Sequence, residues 1–229
     1  MKRPSFLSLL TIAALSFVPA DAQAGITLSQ MIVELQPGKS IRQDVELWNN
    51  DPDRTYVVIE AREVVNAGRP DEASRVDPDP EKLGLLVSPG RLILEPGQHK
   101  LIRIASIAPP GDRERVYRVM VKPVAGELVT NKSGLKIMVG YDALVIVRPP
   151  HPRADLIASR TGNRLTFHNS GNSSVELVQG RQCTPGGTNC SELPGKRLYA
   201  GADWGQDVKP GYVAEYSLRS ATGTVLRRF

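Results

Sequence analysis

The sequence is poor in the residues from which reactive centres are usually built. Among 229 residues there are two cysteines, two tryptophans and three histidines, and aromatic residues make up only 5% of the chain. Cys183 and Cys190 have six residues between them, so they do not form the C-x-x-C spacing of a redox pair. His99, His151 and His168 stand far apart, in strand-like or turn-like surroundings, and no Cys/His metal set results. A nucleophile elbow, a Walker loop, a dinucleotide fingerprint and the H-E-x-x-H pattern are all missing. Asp112 and Glu114 make a carboxylate pair only on paper. They alternate with Arg113 and Arg115, as in a salt-bridged surface turn. Motifs therefore argue against an enzyme and against a metal site.

Long apolar runs are also scarce. The longest, Phe6–Val18, follows Lys2 and Arg3 and precedes Ala22-Gln23-Ala24. A basic start, a short apolar stretch and a small-x-small site make a secretory signal, here residues 1–24. The alternative, an uncleaved anchor, is disfavoured because the run is short for a bilayer and a cleavage site follows it. The mature chain is expected to start at Gly25 and to hold 205 residues. Removing Lys2, Arg3 and Asp21 lowers the formal charge from +5 to +4. That charge is dispersed, with no basic cluster interleaved with aromatics, so nucleic acid is a poor partner. In an oxidising compartment the two cysteines are expected to close one small loop, the alternative being two free thiols that exported proteins rarely keep.

Turn formers, in contrast, are abundant. Pro and Gly together number 38 and punctuate the chain at short intervals, which predicts an all-β sandwich. Strands are expected at Ile26–Leu35, Ser40–Trp48, Tyr56–Val65, Leu85–Val87, Arg91–Leu94, Lys100–Ile107 and Val116–Val124. Asn66–Lys82 reads as a polar loop. Arg148-Pro149-Pro150-His151-Pro152 then makes a stiff connector. Beyond it Asp155–Ala158, Arg164–Asn169, Val175–Gln179, Arg197–Tyr199, Tyr212–Leu218 and Thr224–Phe229 read as strands of a smaller β domain. The expected division is 25–148 for a first immunoglobulin-like domain, 149–152 for the linker and 153–229 for the second domain.

One segment stands apart. In Ser133–Pro149, Leu135, Ile137, Val139 and Tyr141 alternate with Lys136, Met138, Gly140 and Asp142, so those four share one face of a strand. From Ala143 to Val147 every residue is apolar, as in a strand buried on both faces. The segment predicts one long strand, half surface and half core. A row of large apolar side chains on an edge is an aggregation hazard, a binding device, or the core face of an ordinary strand.

Several motifs in order carry a resemblance. They are Asn49-Asn50-Asp51, Tyr56-Val57-Val58 with Glu60, and Ser88-Pro89-Gly90-Arg91-Leu92. Leu94-Glu95-Pro96-Gly97-Gln98 and Leu101-Ile102-Arg103-Ile104 follow. Next is Pro110-Gly111-Asp112-Arg113-Glu114-Arg115-Val116-Tyr117, and last a strand ending in Arg148-Pro149. The chain resembles the periplasmic pilus-assembly chaperones of the chaperone–usher pathway, the PapD-like proteins, most closely over Gly25–Pro150. The resemblance implies two immunoglobulin-like domains in a boomerang, a periplasmic location and no cofactor. It implies pilus or fimbrial subunits and an outer-membrane usher as partners. Leu135, Ile137, Val139 and Tyr141 would be lent to an incomplete pilus subunit. Burial of three such side chains is worth about 5–9 kcal/mol before ordering costs. The resemblance also implies an interdomain ion pair of Glu114 with Arg148, whose acidic third member in the second domain falls nearest Arg219.

The match breaks at the anchors for the terminal carboxylate of the client. The first-strand arginine of the family is absent, since Met31, Ile32 and Val33 occupy that region. The lysine four residues before Arg-Pro is Leu144. Aliphatic side chains cannot make charge-assisted bonds to a carboxylate, so the anchor is unassigned, with Arg148, Arg118 and Arg153 the nearest basic candidates. A two-domain structural or adhesive sandwich that lends no strand is the alternative reading.

Overall fold

The computed structural model describes residues 25–124 and 137–229, so the signal segment and Leu135 lie outside the described residues. Strands are numbered along the chain. One sheet runs β1 (Ile26–Leu28), β3 (Arg42–Asn49), β8 (His99–Ser106), β6 (Leu85–Ser88). Facing it, a second sheet runs β2 (Ile32–Leu35), β10 (Tyr141–Val147), β9 (Arg115–Val124), β4 (Thr55–Val65), β5 (Ala73–Arg75), with β7 (Arg91–Leu94) also paired to β4. Inward residues of both sheets, among them Val33, Leu47, Val57, Ile102, Val119 and Val145, close one core.

Past the prolines, β11 (Leu156–Thr161), β12 (Arg164–Asn169) and β16 (Asp203–Asp207) make a third sheet. The fourth runs β14 (Cys190–Glu192), β13 (Val175–Cys183), β17 (Val213–Ser220), β18 (Gly223–Arg228), with β15 (Lys196–Leu198) also on β13. Their core is separate and aromatic. Phe167 meets Phe229 and Tyr216 edge to face, with ring centroids 5.0 and 5.8 Å apart, a favoured arrangement for ring quadrupoles. The fold is all-β, with two sandwiches. Cys183 and Cys190 are disulfide-bonded across β13 and β14. Among the described residues, no helix is long and apolar enough to cross a membrane.

The stretch expected as one strand, Ile26–Leu35, divides between the two sheets. β1 pairs antiparallel with β3, whereas β2 pairs parallel with β10. Ser29 ends the first piece, its N–H donating to Glu46 O at 2.9 Å and its Oγ accepting from Glu46 N–H at 3.0 Å. Met31 O starts the second by accepting from Leu144 N–H at 2.8 Å. Ile26, Val33 and Leu35 still share one core, so the apolar pattern is the same for one strand or two.

The expected polar loop Asn66–Lys82 holds β5 and a single helical turn, α1 (Pro80–Leu83). Asp79 caps it by accepting from Glu81 N–H at 3.0 Å, Pro80 opens it, and Gly84 closes it in the left-handed region at φ 84°. Four residues are too few to show a helical period. A side chain at Gly84 would also collide, since a Cβ there would lie 2.3 Å from Arg115 Nη1.

Arg115 ties this turn to the second sheet. It donates to Leu83 O at 2.7 Å and to the Glu63 carboxylate at 2.9 Å, and Arg75 holds the same carboxylate. Burial pushes the Glu63 carboxyl up, but hydrogen bonds from Arg115 and Arg75 outweigh it and leave the group below the usual carboxylate range. A carboxyl held low contributes stability that is full above the ordinary pKa and is lost as pH falls through the lowered one. Glu63→Gln is therefore expected to lower the melting temperature near pH 7 and to differ less from the native protein near pH 3. A gap unchanged between these two pH values would refute the assignment.

Candidate functional site

β10 is paired on both sides for only part of its length. Against β9 the register runs from Tyr141 opposite Val121 to Val147 opposite Arg115. On the other side β2 covers only Leu144–Val147. Among the described residues, Tyr141–Ala143 thus have a free edge and residues 137–140 belong to no strand, whereas the strand expected from Ser133 lies partly outside the described residues.

The sequence of β9 explains the early end. Leu144 N–H points to β2, so the alternation of a strand turns the N–H groups of Tyr141, Ala143 and, by extension, Val139 toward β9. In the same register Val139 would face Pro123, which has no N–H to donate. The ladder loses a bond at the pair where it would have to continue.

The side chains here are apolar and in water. Ile137, Met138 and Val139 are 78%, 41% and 51% exposed. Tyr141 differs, being half-buried against the first core with its hydroxyl donating to Ile26 O at 2.7 Å. Two and four residues before Tyr141, Val139 and Ile137 lie outside any strand and do not join the first core among the described residues. The other face of β10 is covered lower down. Leu144 and Ile146 pack with Val116, Ala67 and, from the second sandwich, Tyr199.

Arg148, at the end of this strand, is only 3% exposed and Glu114 only 1%. Arg148 Nη1 donates to Glu114 Oε2 at 2.8 Å, to Ser173 Oγ at 2.8 Å and to Ser174 Oγ at 2.9 Å, and Nη2 to Glu34 Oε1 at 2.9 Å. The second sandwich contributes serine hydroxyls to this junction, not an acid. Arg219 instead binds Glu176, at 2.6 Å, beside Arg197. Glu34 was missed in the sequence because nothing local marks it; the parallel pairing of β2 with β10 brings it there.

The other two basic candidates lie apart. Arg153 is exposed just past the linker, where its backbone N–H donates to Asn172 Oδ1 at 2.7 Å. Arg118 stands on β9 opposite Leu144, and Arg62 stands opposite Arg118 on β4. Arg62 makes a 2.7 Å ion pair with Asp142, while Arg118 Nη1 donates to Asp142 O at 3.3 Å. Two guanidinium groups thus meet one aspartate beside the free edge. Arg62 carries no motif, and only strand pairing reveals it. No group of His, Cys, Asp and Glu among the described residues could hold a metal ion.

Comparisons with known proteins agree with this architecture. The chain is 27% identical over 217 residues to a CS1 fimbrial subunit of Escherichia coli, covering 90% of this chain and 87% of that protein. It is 28% identical over 172 residues to a CFA/I fimbrial subunit of Escherichia coli, covering 72% and 71%. Among solved structures, the class 5 fimbriae chaperone CfaA superposes with a TM-score of 0.66 at 21% identity, over 89% of this chain and 98% of that one. The Salmonella enterica SafA pilin in complex with the SafB chaperone matches with a TM-score of 0.63 at 20% identity, over 92% and 98%. The family described as pili and flagellar-assembly chaperone, PapD N-terminal domain, matches residues 25–152. With the motif order, two sandwiches and an open apolar strand edge already in hand, this match establishes that the chain belongs to the PapD-like pilus-assembly chaperones, a non-enzymatic family of which it is a divergent member.

Proposed function

We propose that the protein works in the periplasm, holds fimbrial subunits by lending them the strand that precedes Tyr141, and passes them to an outer-membrane usher. The observation that carries this reading is the edge at residues 137–143, which no strand among the described residues covers, with Ile137 and Val139 exposed beside it. A client strand added there would pair with the N–H and C=O groups of the edge and cover the apolar side chains, the two sources of affinity in strand addition. Leu135, Ile137 and Val139 are the donors in this reading. Tyr141 serves mainly as the root, since its ring and hydroxyl are used by the first core. A solved neighbour is itself a pilin in complex with its chaperone. In the mature protein, residues 25–148 would form the lending domain, 149–152 the linker and 153–229 the second domain, after removal of residues 1–24.

A client carboxylate arriving at this edge would meet Arg118, with Arg62 next to it. Arg148 is already held by two carboxylates and two hydroxyls and is assigned to the junction with Glu114. Arg153 lies past the linker.

Hydrogen exchange tests the proposal. The alternation set by Leu144 turns the N–H groups of Met138, Gly140 and Asp142 toward the free edge. They are expected to exchange rapidly in the free protein and to slow at least tenfold in complex with a cognate fimbrial subunit. Protection confined to other segments would favour a sandwich that lends no strand.

A further inference from the structure

We propose that the second sandwich takes up an extended acidic segment of another protein along β18. This strand is an open edge of its sheet. Among the described residues it pairs with β17 alone, and all six of its residues are exposed. The first sandwich covers part of the matching edge by itself, since β2 runs along β10 from Leu144 to Val147. In the second, β11 pairs only with β12, and no described strand reaches β18.

The register shows which backbone groups the edge presents. Phe229 exchanges both hydrogen bonds with Ala214, its N–H donating to Ala214 O at 2.9 Å and its O accepting from Ala214 N–H at 3.1 Å. In an antiparallel ladder, alternate residues turn their N–H and C=O to the same side. Arg227 and Val225 therefore also face β17, while Arg228, Leu226 and Thr224 turn theirs to the open edge. The pairing is unbroken from Gly223 to Arg228, with no bulge and no proline to spoil the template. Charges guard an edge when they stand along it. Here they stand at one end. The middle is Val225 and Leu226, 62% and 58% exposed, one on each face.

Charge selects the occupant. No basic cluster marks the sequence, yet residues 25–152 hold seventeen basic and seventeen acidic side chains, whereas residues 153–229 hold ten basic and six acidic. The positive excess of the mature chain thus falls in the second sandwich. The glutamates beside β18 are already shared. Glu215 lies between Arg181 and Arg228, and Glu176 between Arg197 and Arg219, so each trio keeps one positive charge. Among the described residues Arg227 meets no carboxylate; it donates to Leu156 O at 2.9 Å and lies over the Phe229 ring. A strand added antiparallel to β18 sets one residue opposite each of Arg228, Arg227, Leu226 and Val225. Two acidic residues followed by two apolar ones complete those cross-strand pairs. A basic segment would be repelled, and a wholly acidic one would leave Val225 and Leu226 wet. A second copy of β18 would add its own arginines to a surface that is already positive.

Two capped peptides, Thr-Glu-Glu-Val-Val-Thr and Thr-Lys-Lys-Val-Val-Thr, titrated into the isotope-labelled protein and followed by amide NMR shifts, test the assignment. The acidic peptide is expected to shift Thr224, Leu226 and Arg228 saturably. It should bind about tenfold more tightly than the basic one, the scale of two exposed cross-strand pairs changing sign. Raising salt from about 20 mM to about 500 mM should bring the two affinities within about twofold. Leu226→Pro removes the central outward donor and none of the bonds to β17, so it should abolish binding and leave the fold intact. Arg227→Gln combined with Arg228→Gln should keep weak binding and lose the preference. No saturable shift in β18, equal affinities at low salt, shifts confined to residues 137–143, or a dimer of the protein that Leu226→Pro dissociates would each overturn the proposal.

Discussion

Replacing Ile137 with aspartate is expected to weaken the grip on a fimbrial client by about a hundredfold or more. Ile137 is the most exposed apolar residue described next to the free edge, at 78%. In a strand-addition complex it would be buried, a change worth about 1.5–3 kcal/mol for a side chain of this size. Aspartate forfeits that gain and must also be desolvated without a partner, which adds several kilocalories per mole. About 2.8 kcal/mol already corresponds to a hundredfold. Because the side chain contacts water in the free protein, its own stability should hardly change, and the melting temperature serves as the control. Ile137→Val keeps the shape class and should cost less than about 1.5 kcal/mol of binding. The measurement is recovery of the complex with a co-expressed fimbrial client, followed by its dissociation rate. Unchanged recovery with Ile137→Asp would show that the strand before Tyr141 is not what the client holds. Tyr141→Ala would be a poor substitute for this test, since the ring packs on the first core and its hydroxyl holds Ile26 O. Loss of binding there would not separate lending from folding.

The second large effect is on stability. Arg148→Ala removes a cation from a site where Glu114 is 1% exposed, leaving that carboxylate and the Ser173 hydroxyl buried with fewer partners. Breaking a buried ion pair from one side costs about 3–5 kcal/mol. Domain stabilities are about 5–15 kcal/mol, so this is a large share. The junction also has natural reporters. The only two tryptophans, Trp48 and Trp204, sit in the first and second sandwich respectively. Urea unfolding followed by each tryptophan in turn should show the native sandwiches melting together and the Arg148→Ala sandwiches melting apart. In a double-mutant cycle, Glu114→Ala should cost far less in the Arg148→Ala background than alone, because the two act as one unit. A loss under about 1 kcal/mol, the ceiling for an exposed pair, with additive single effects, would mean that the pair is not what joins the sandwiches.

Sequence and structure contribute unevenly at these two sites. Period-two alternation marks Ile137, Val139 and Tyr141 as one face of an expected strand, because side-chain direction in a strand follows from backbone geometry alone, and the structure places Tyr141 alone of the three in a strand. Turn chemistry at Pro96-Gly97 and at Pro149-Pro150 fixed where strands stop, since proline lacks the donor a ladder needs. Motif order identified the family. The sequence could not show that Ile26–Leu35 changes sheets, because both pieces face the same core and the pattern is indifferent to which neighbour supplies the hydrogen bonds. Nor could it show that the strand pairs only from Tyr141, which depends on Pro123 lying across from Val139. Glu34, Ser173 and Ser174 around Arg148, and Arg62 beside Arg118, are distant in sequence and carry no periodic signal. Composition and alternation by themselves determined an all-β chain with a row of apolar side chains before Ala143. Only the packing of the sheets decided which part of that row is free and which arginines are already spoken for, because register and ion pairing are set by neighbours far away along the chain.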